Sequence, residues 1–203
     1  MIAGPLFTAA WLVEGAVRPF YSQLRPPVSS LSIGEYGWIQ SSIFIVTGLL
    51  TIAFATGMRS SLAQEASKWA PIFTAVTGVG LIGAGLFVTD PMNGYLLGTP
   101  LIPMQFTITG RLHRLFSAFF FLGLPLVTFN LVRWFARWKN TPWSLYSVTS
   151  GITFLATFVI ASAALLQAGA LAELAGLFQR LAITTGWLWI TLFAIHLTRR
   201  RAA

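Results

Sequence analysis

The chain has 203 residues, of which 56% are hydrophobic and 9% are charged, and its mean hydropathy is +0.75. Soluble domains carry about 25% charged residues, so this composition excludes an ordinary soluble domain and indicates an integral membrane protein. The formal net charge of +8 comes from 13 basic residues scattered between apolar runs, which does not suit a nucleic-acid-binding face, and the lack of cysteine excludes disulfides, thiolate metal sites and iron–sulfur clusters.

Six apolar windows predict transmembrane helices, because a helix that crosses the hydrocarbon core needs about 20 mainly apolar residues. In chain order they cover residues 2–18, 37–58, 70–90, 112–134, 144–167 and 179–198. The first window is short and carries Glu14; since no basic segment precedes it, we interpret it as a retained helix and not as a signal peptide. The predicted fold class is all-α: a polytopic membrane protein in which residues 1–203 form one domain, a bundle of six transmembrane helices.

The distribution of basic residues predicts the orientation of the bundle. Eight basic residues and Glu65 fall on one side, namely Arg59, Lys68, Arg133, Arg137, Lys139, Arg199, Arg200 and Arg201. The other side has five basic and four acidic residues: Arg18, Arg25, Arg111, Arg114, Arg180, Glu14, Glu35, Asp90 and Glu173. Because short loops rich in lysine and arginine stay in the cytoplasm, we expect both termini to be cytoplasmic and the mixed-charge side to face outward.

Small residues dominate the third predicted helix, which contains Gly78, Gly80, Ala84 and Gly85. Such residues let neighbouring backbones approach closely in a membrane, and we therefore expect this helix at the centre of the bundle. The eight tryptophans lie mostly near predicted helix ends, where we expect interfacial anchors.

An internal repeat links the starts of the second, fourth and sixth helices. Each start has a glycine followed three residues later by a polar side chain: Gly37 with Gln40, Gly110 with His113, and Gly176 with Gln179. The pattern suggests three helical hairpins of common origin and would place the three polar side chains at one depth.

An ordered set of motifs resembles a known family. The motifs are GPLF at 4–7, RPFY at 18–21, PVSSL at 27–31, GAGLFVTDP at 83–91, GRLH at 110–113 and GLFQRL at 176–181. Together they resemble the prokaryotic membrane family called domain of unknown function 998, over nearly the whole chain. The resemblance implies a six-helix protein of the prokaryotic plasma membrane, and it implies no activity.

Polar residues from several helix ends predict a binding site at the outer rim. The candidates are Glu14, Arg18, Gln40, Asp90, Arg111, His113, Arg114, Gln179 and Arg180. Ionisable residues in or beside membrane spans are costly and are often functional or mutually paired. Three helices begin at this rim, so their positive dipole ends and free backbone N–H groups add to the arginines and favour an anion.

The first functional hypothesis is non-catalytic binding of a lipid headgroup or small anion, with membrane lipids as partners and no nucleic acid. Arg114 and Arg180 would be its cationic contacts, His113 a hydrogen-bond partner and Asp90 the residue that positions them. A second hypothesis is an accessory subunit of a larger membrane complex, which packs against other subunits through its helices. In that case Asp90 and Glu14 would neutralise Arg180 and Arg114 to fix helix packing.

A third hypothesis is a membrane-embedded hydrolase, in which Asp90 orients His113 as a general base. No serine elbow or cysteine accompanies this pair. A catalytic zinc needs about three protein ligands, whereas the two histidines, His113 and His196, fall at opposite ends of the predicted spans. We therefore predict no metal site, and the sequence assigns no cofactor.

Overall fold

The computed structural model describes residues 1–62, 68–92, 95, 99, 105–166 and 169–202. Within these ranges the chain forms six α-helices and no strand, which confirms the all-α prediction. The helices are α1 (Ala3–Val17), α2 (Gly37–Leu62), α3 (Trp69–Leu86), α4 (Ile108–Arg137), α5 (Thr141–Leu165) and α6 (Ala175–Ala202). Short 3₁₀ helices at Val28–Ser32 and Ala172–Leu174 precede α2 and α6.

Five of these helices, α2 to α6, are long and apolar enough to cross a membrane. The α1 helix has 15 residues and is therefore about 22 Å long, which is less than the roughly 30 Å of hydrocarbon in a bilayer. Its start lies beside the middle of α6, where a Cβ atom on Gly4 would be 2.6 Å from the Thr191 hydroxyl. The described chain thus has five clear spans, and a sixth remains a prediction.

Capping residues set helix ends that the apolar windows misplace. The α4 helix begins at Ile108, four residues before the window, because the Thr107 hydroxyl accepts a hydrogen bond from the Gly110 amide at 3.0 Å. The α3 helix ends at Leu86, and extended backbone follows from Phe87. Asp90 therefore lies in the connection after α3 and not in the helix itself.

Each helix packs against its neighbours in the chain, and α6 closes the ring by packing against α1. Glycines bring α3 close to α2, since a Cβ atom on Gly48 or on Gly78 would lie 2.7 Å from the carbonyl oxygen of the other. A Cβ atom on Gly80 would likewise lie 2.6 Å from the Phe116 carbonyl oxygen of α4. The small residues thus hold α3 tightly between α2 and α4, and not at the centre of all six helices.

The two largest fully buried side chains, Trp187 and Trp189, come from α6. Trp187, Trp189 and Phe193 are at most 1% exposed. The expectation of interfacial anchors is therefore wrong for these two tryptophans and for the buried Trp11 and Trp134, which pack inside the bundle. Other tryptophans, such as Trp38 and Trp138, are more than half exposed near helix ends.

The three glycines of the repeat share one structural role. A Cβ atom would overlap the Ser32 carbonyl oxygen at Gly37, the Asp90 carboxylate at Gly110 and the Pro26 carbonyl oxygen at Gly176. At each position an oxygen atom from outside the helix contacts the glycine in the first turns of that helix. The repeat in the sequence therefore corresponds to three similarly built helix starts at one end of the bundle.

Candidate functional site

The end of the bundle where α2, α4 and α6 begin is here called the polar end. Long-range hydrogen bonds hold it together: the Val28 amide donates to Gln179 Oε1 at 2.8 Å, and Arg18 donates to the Leu31 carbonyl at 2.9 Å. The Thr107 amide also donates to Asp90 Oδ2 at 3.2 Å. The polar residues of distant helix ends thus share this end, and they form separate groups within it.

Glu14 and Arg18 form the first group. Glu14 is buried near the end of α1, and its Oε2 atom is 3.3 Å from Arg18 Nη2. Arg18 also donates to the carbonyl oxygen of Ile33 at 3.1 Å. This ion pair therefore holds the segment before α2 against the end of α1.

Arg180 forms the second group and is enclosed by the protein. The side chain is 4% exposed, and Nη1 donates to the carbonyl oxygens of Pro26 and Gly176, both at 3.0 Å. Nη2 donates to the Tyr21 hydroxyl, which in turn donates to the Pro27 carbonyl at 3.1 Å. Burial raises the pKa of Tyr21 to about 12, so its hydroxyl stays protonated and Arg180 is paired with neutral oxygen atoms.

Asp90 belongs to the start of α4. Its Oδ1 accepts a hydrogen bond from the Thr107 hydroxyl at 2.6 Å, and its carboxylate lies against Gly110. A negative charge at a helix N-terminus compensates the positive end of the helix dipole. Among the described residues, neither Asp90 nor Glu14 forms an ion pair with Arg180 or Arg114, so the pairing expected for a structural girdle is not formed.

The His113 ring is oriented by backbone atoms. Its Nδ1 atom lies 2.7 Å from the Phe87 carbonyl oxygen and 3.0 Å from the Ala84 carbonyl oxygen. Carbonyl oxygens only accept hydrogen bonds, so Nδ1 carries a proton, and in the neutral ring Nε2 is an acceptor. No hydrogen bond joins Asp90 to His113; the carbonyls at the end of α3 take the place predicted for the carboxylate.

A cavity of about 280 Å³ extends from the polar end into the bundle and is lined from all six helices. Its polar lining includes Asp90, His113, Arg114, Ser117, Ser162 and Gln179. Its apolar lining includes Phe7, Phe44, Phe120, Phe121, Phe158 and Ile183. The volume is near the lower end of the roughly 300–1,000 Å³ found for small-molecule sites, which are likewise mostly apolar with a few convergent polar groups.

Arg114 is the cationic side chain of this cavity. It is exposed, and its guanidinium lies 4.2 Å from the centroid of the Phe106 ring. No carboxylate among the described residues forms an ion pair with it. Arg114 therefore offers its hydrogen-bond donors to whatever occupies the polar part of the cavity.

The family model for "Protein of unknown function (DUF998)" matches residues 1–196. The chain belongs to the DUF998 family. This confirms the resemblance in the sequence motifs and, together with the apolar helices, identifies a multi-pass integral membrane protein. Comparisons with curated proteins and with solved structures give no match.

The cavity of this DUF998 protein gathers only part of the predicted site. Asp90, His113, Arg114 and Gln179 line it, whereas Glu14, Gln40, Arg111 and Arg180 do not. Gln40 is fully buried, and neither of its amide atoms bonds to a described residue; Arg111 is exposed. The described residues include no group of three or more metal-ligating side chains.

Sequence reasoning missed the serine and phenylalanine lining of the cavity. His113, Arg114, Ser117, Ala118 and Phe121 all line it from α4. Their spacing of three, four and seven residues places them along one side of a helix. This periodicity, read downward from His113, would have identified Ser117 and Phe121 as companions of the predicted residues.

Proposed function

We propose that this protein binds the anionic headgroup of a membrane lipid at the polar part of the cavity, without catalysing a reaction. The observation that carries the proposal is Arg114, a cavity-lining cation without a carboxylate partner among the described residues. Guanidinium groups stay charged at all physiological pH values and bind phosphate oxygens through paired N–H donors.

Most other positive groups at the polar end are already compensated within the protein; the exception is Arg111, which is exposed and does not line the cavity. Arg18 pairs with Glu14, Arg25 pairs with Glu173, and Asp90 lies on the start of α4. Arg180 is surrounded by carbonyl and phenolic oxygens. An anion in the cavity therefore interacts chiefly with Arg114. The proposed site is smaller than the predicted one, which also used Arg180 as a cationic contact.

Neutral groups beside Arg114 suit the polar part of a lipid. His113 Nε2 can accept a hydrogen bond from a glycerol hydroxyl, and the Ser117 hydroxyl makes no hydrogen bond to a described residue. No hydrogen bond joins Ser117 to His113, and none joins His113 to Asp90.

The charge distribution supports an extracytoplasmic position for this site, and the family resemblance implies the plasma membrane of a prokaryote. The opposite end of the bundle carries the eight basic residues that the positive-inside rule places in the cytoplasm. In this arrangement α1 is a short sixth span and both termini are cytoplasmic.

Lipid titration followed by native mass spectrometry tests the proposal. The wild-type protein in detergent is titrated with phosphatidylglycerol, which is anionic, and with phosphatidylcholine, which is zwitterionic. We expect tighter binding of phosphatidylglycerol and a loss of about tenfold in Arg114→Gln, because a charge-assisted hydrogen bond contributes roughly 1.5 kcal/mol or more.

The matched control is Arg111→Gln, which removes the same charge from an exposed position outside the cavity on the same helix. It should bind phosphatidylglycerol as the wild-type protein does. Equal losses in both variants would show only a general electrostatic effect, and no loss in Arg114→Gln would overturn the proposed headgroup site.

A further inference from the structure

The exposure of the cavity lining is uneven. The lining residues from α1, α2 and α6, including Phe7, Phe44 and Ile183, are buried. The exposed or half-exposed lining residues of the helices are on α4 and α5, namely Arg114, Ser117, Ala118, Phe158, Ser162 and Leu165, and the exposed Leu166 directly follows α5. The cavity therefore opens sideways between these two helices, and this opening is here called the lateral opening.

Close packing of α4 and α5 ends where the lateral opening begins. Nearer the other end of the bundle, a Cβ atom on Gly151 would lie 2.6 Å from the Thr128 hydroxyl, so the helices are in tight contact there. Phe121 and Phe158 then stack with ring centroids 4.2 Å apart and an interplanar angle of 10°. Beyond this pair, the small side chains of Ala118 and Ser162 leave the gap that forms the opening.

The lateral opening is polar at its top and apolar below, which matches the headgroup and acyl chain of a membrane lipid. Arg114 is at its top, and the stacked pair at Phe121 is its floor, seven residues or about 10 Å lower along α4. Half-exposed Phe106 and Met92 continue the cavity toward the loop surface. One hydrocarbon leaflet is about 15 Å thick, so a gap about 10 Å long fits within the thickness of one leaflet.

We propose that a membrane phospholipid inserts one acyl chain through the lateral opening into the apolar part of the cavity, while its phosphate stays beside Arg114. The inference rests on the proposed headgroup site and adds the route of entry and the chain. The cavity of about 280 Å³ lies just below the roughly 300–1,000 Å³ of small-molecule sites, so it can receive part of a single chain and not a whole two-chain lipid. Apolar walls from Phe44, Phe120 and Ile183 bury that chain.

Blocking the lateral opening tests this inference. In Ala118→Trp an indole would fill the gap beside the stacked pair, and we expect about a tenfold weaker binding of phosphatidylglycerol by native mass spectrometry. Ser162→Trp closes the same gap from α5 and should have the same effect. The control Leu115→Trp adds an indole to α4 at a position that is 51% exposed and does not line the cavity, and it should bind normally.

A second probe distinguishes the contribution of the acyl chain to binding from that of the headgroup. Glycerophosphoglycerol has the phosphatidylglycerol headgroup without acyl chains, and we expect it to bind the wild-type protein at least tenfold more weakly than the lipid. Equal binding of the two probes would overturn the inference. Normal lipid binding by both opening variants, with melting temperatures like that of Leu115→Trp, would also overturn it.

The outcomes for the two proposals are distinct. If Arg114→Gln weakens binding while Ala118→Trp and Ser162→Trp do not, the headgroup site stands and entry through the lateral opening is wrong. If the opening variants weaken binding while Arg114→Gln does not, a chain enters the cavity but the headgroup assignment is wrong.

Discussion

Arg180 of α6 donates a hydrogen bond to the hydroxyl of Tyr21, a residue 159 positions earlier in the chain. The same hydroxyl donates to the Pro27 carbonyl, so one phenol connects the last helix to the segment between α1 and α2. Both side chains are buried. Neither side chain lines the cavity, so the contact is a structural link across the polar end.

The link predicts a loss of stability in Tyr21→Phe. The change leaves an Arg180 donor and the Pro27 carbonyl without this partner in a buried site, which costs roughly 1–3 kcal/mol. The melting temperature in detergent should therefore fall. Tyr36→Phe is the control, because Tyr36 is 55% exposed and its hydroxyl bonds to no described residue; an equal fall in both variants would contradict the structural role.

Alkaline pH provides a second test of Tyr21. Burial raises its pKa to about 12 from an ordinary value of 10.0. The folded chain then keeps a proton that the unfolded chain loses, so the free energy of unfolding decreases as pH rises from about 10 to about 12. At about 1.4 kcal/mol for each pKa unit, the decrease approaches about 2.7 kcal/mol.

Comparison of melting temperatures at pH 8 and near pH 11.5 checks this dependence in wild type and Tyr21→Phe. Other groups titrate in both proteins, but only the wild type has the Tyr21 contribution. The stability advantage of the wild type should therefore narrow at high pH. An advantage that stays constant would mean that the phenol is not protected from ionisation.

The helices were predictable from hydropathy, while the division of the polar residues into separate groups was not. Gln40 and Gln179 follow the same glycine pattern, yet Gln179 lines the cavity and Gln40 is buried away from it. That difference depends on the rotation of α2 and α6 about their axes, which the packing of all six helices determines. Apolar periodicity is weak evidence for rotation in a membrane helix, because lipid and core are both apolar.

The hydrogen-bond partners of Asp90 could not be predicted from the sequence either. The sequence suggested that Asp90 would pair with an arginine or with His113, whereas its carboxylate binds the Thr107 hydroxyl and lies against Gly110. This choice depends on the meeting of Thr107 with Asp90, which lies 17 residues earlier in the chain. The distribution of charged residues predicts which end of the bundle holds Asp90 and its neighbours, but it does not predict the hydrogen bonds that they form.

The close approach of α2 and α3 at Gly48 predicts that alanine substitutions at two glycines of α2 change the stability of the protein by different amounts. A Cβ atom in Gly48→Ala would lie 2.7 Å from the Gly78 carbonyl oxygen, so the backbones must separate. Overpacking of this kind costs typically 1–3 kcal/mol. Gly57→Ala is the matched control, because nothing lies within 4 Å of its Cβ position. A melting temperature for Gly48→Ala at or above that of Gly57→Ala would contradict the close approach of the two helices.

The Asp90 contacts predict a stability effect that is separate from ligand binding. In Thr107→Val the N-cap oxygen of α4 and a donor to Asp90 are lost together. Loss of an N-cap costs about 1 kcal/mol, so the melting temperature should fall modestly. Binding of phosphatidylglycerol should change little, because Thr107 does not line the cavity. A tenfold loss of binding at an unchanged melting temperature would instead place Asp90 in ligand recognition.

The orientation can be tested cleanly because the chain has no cysteine. Glu35→Cys puts a single thiol at an exposed position near the polar end, and Arg137→Cys puts one at an exposed position at the opposite end of α4. If the end rich in basic residues is cytoplasmic, a membrane-impermeant maleimide should label Glu35→Cys in intact cells and Arg137→Cys only after permeabilisation. The reverse pattern would put Arg114 and the lateral opening in the inner leaflet, so the phospholipid of the proposed site would have to come from the cytoplasmic side.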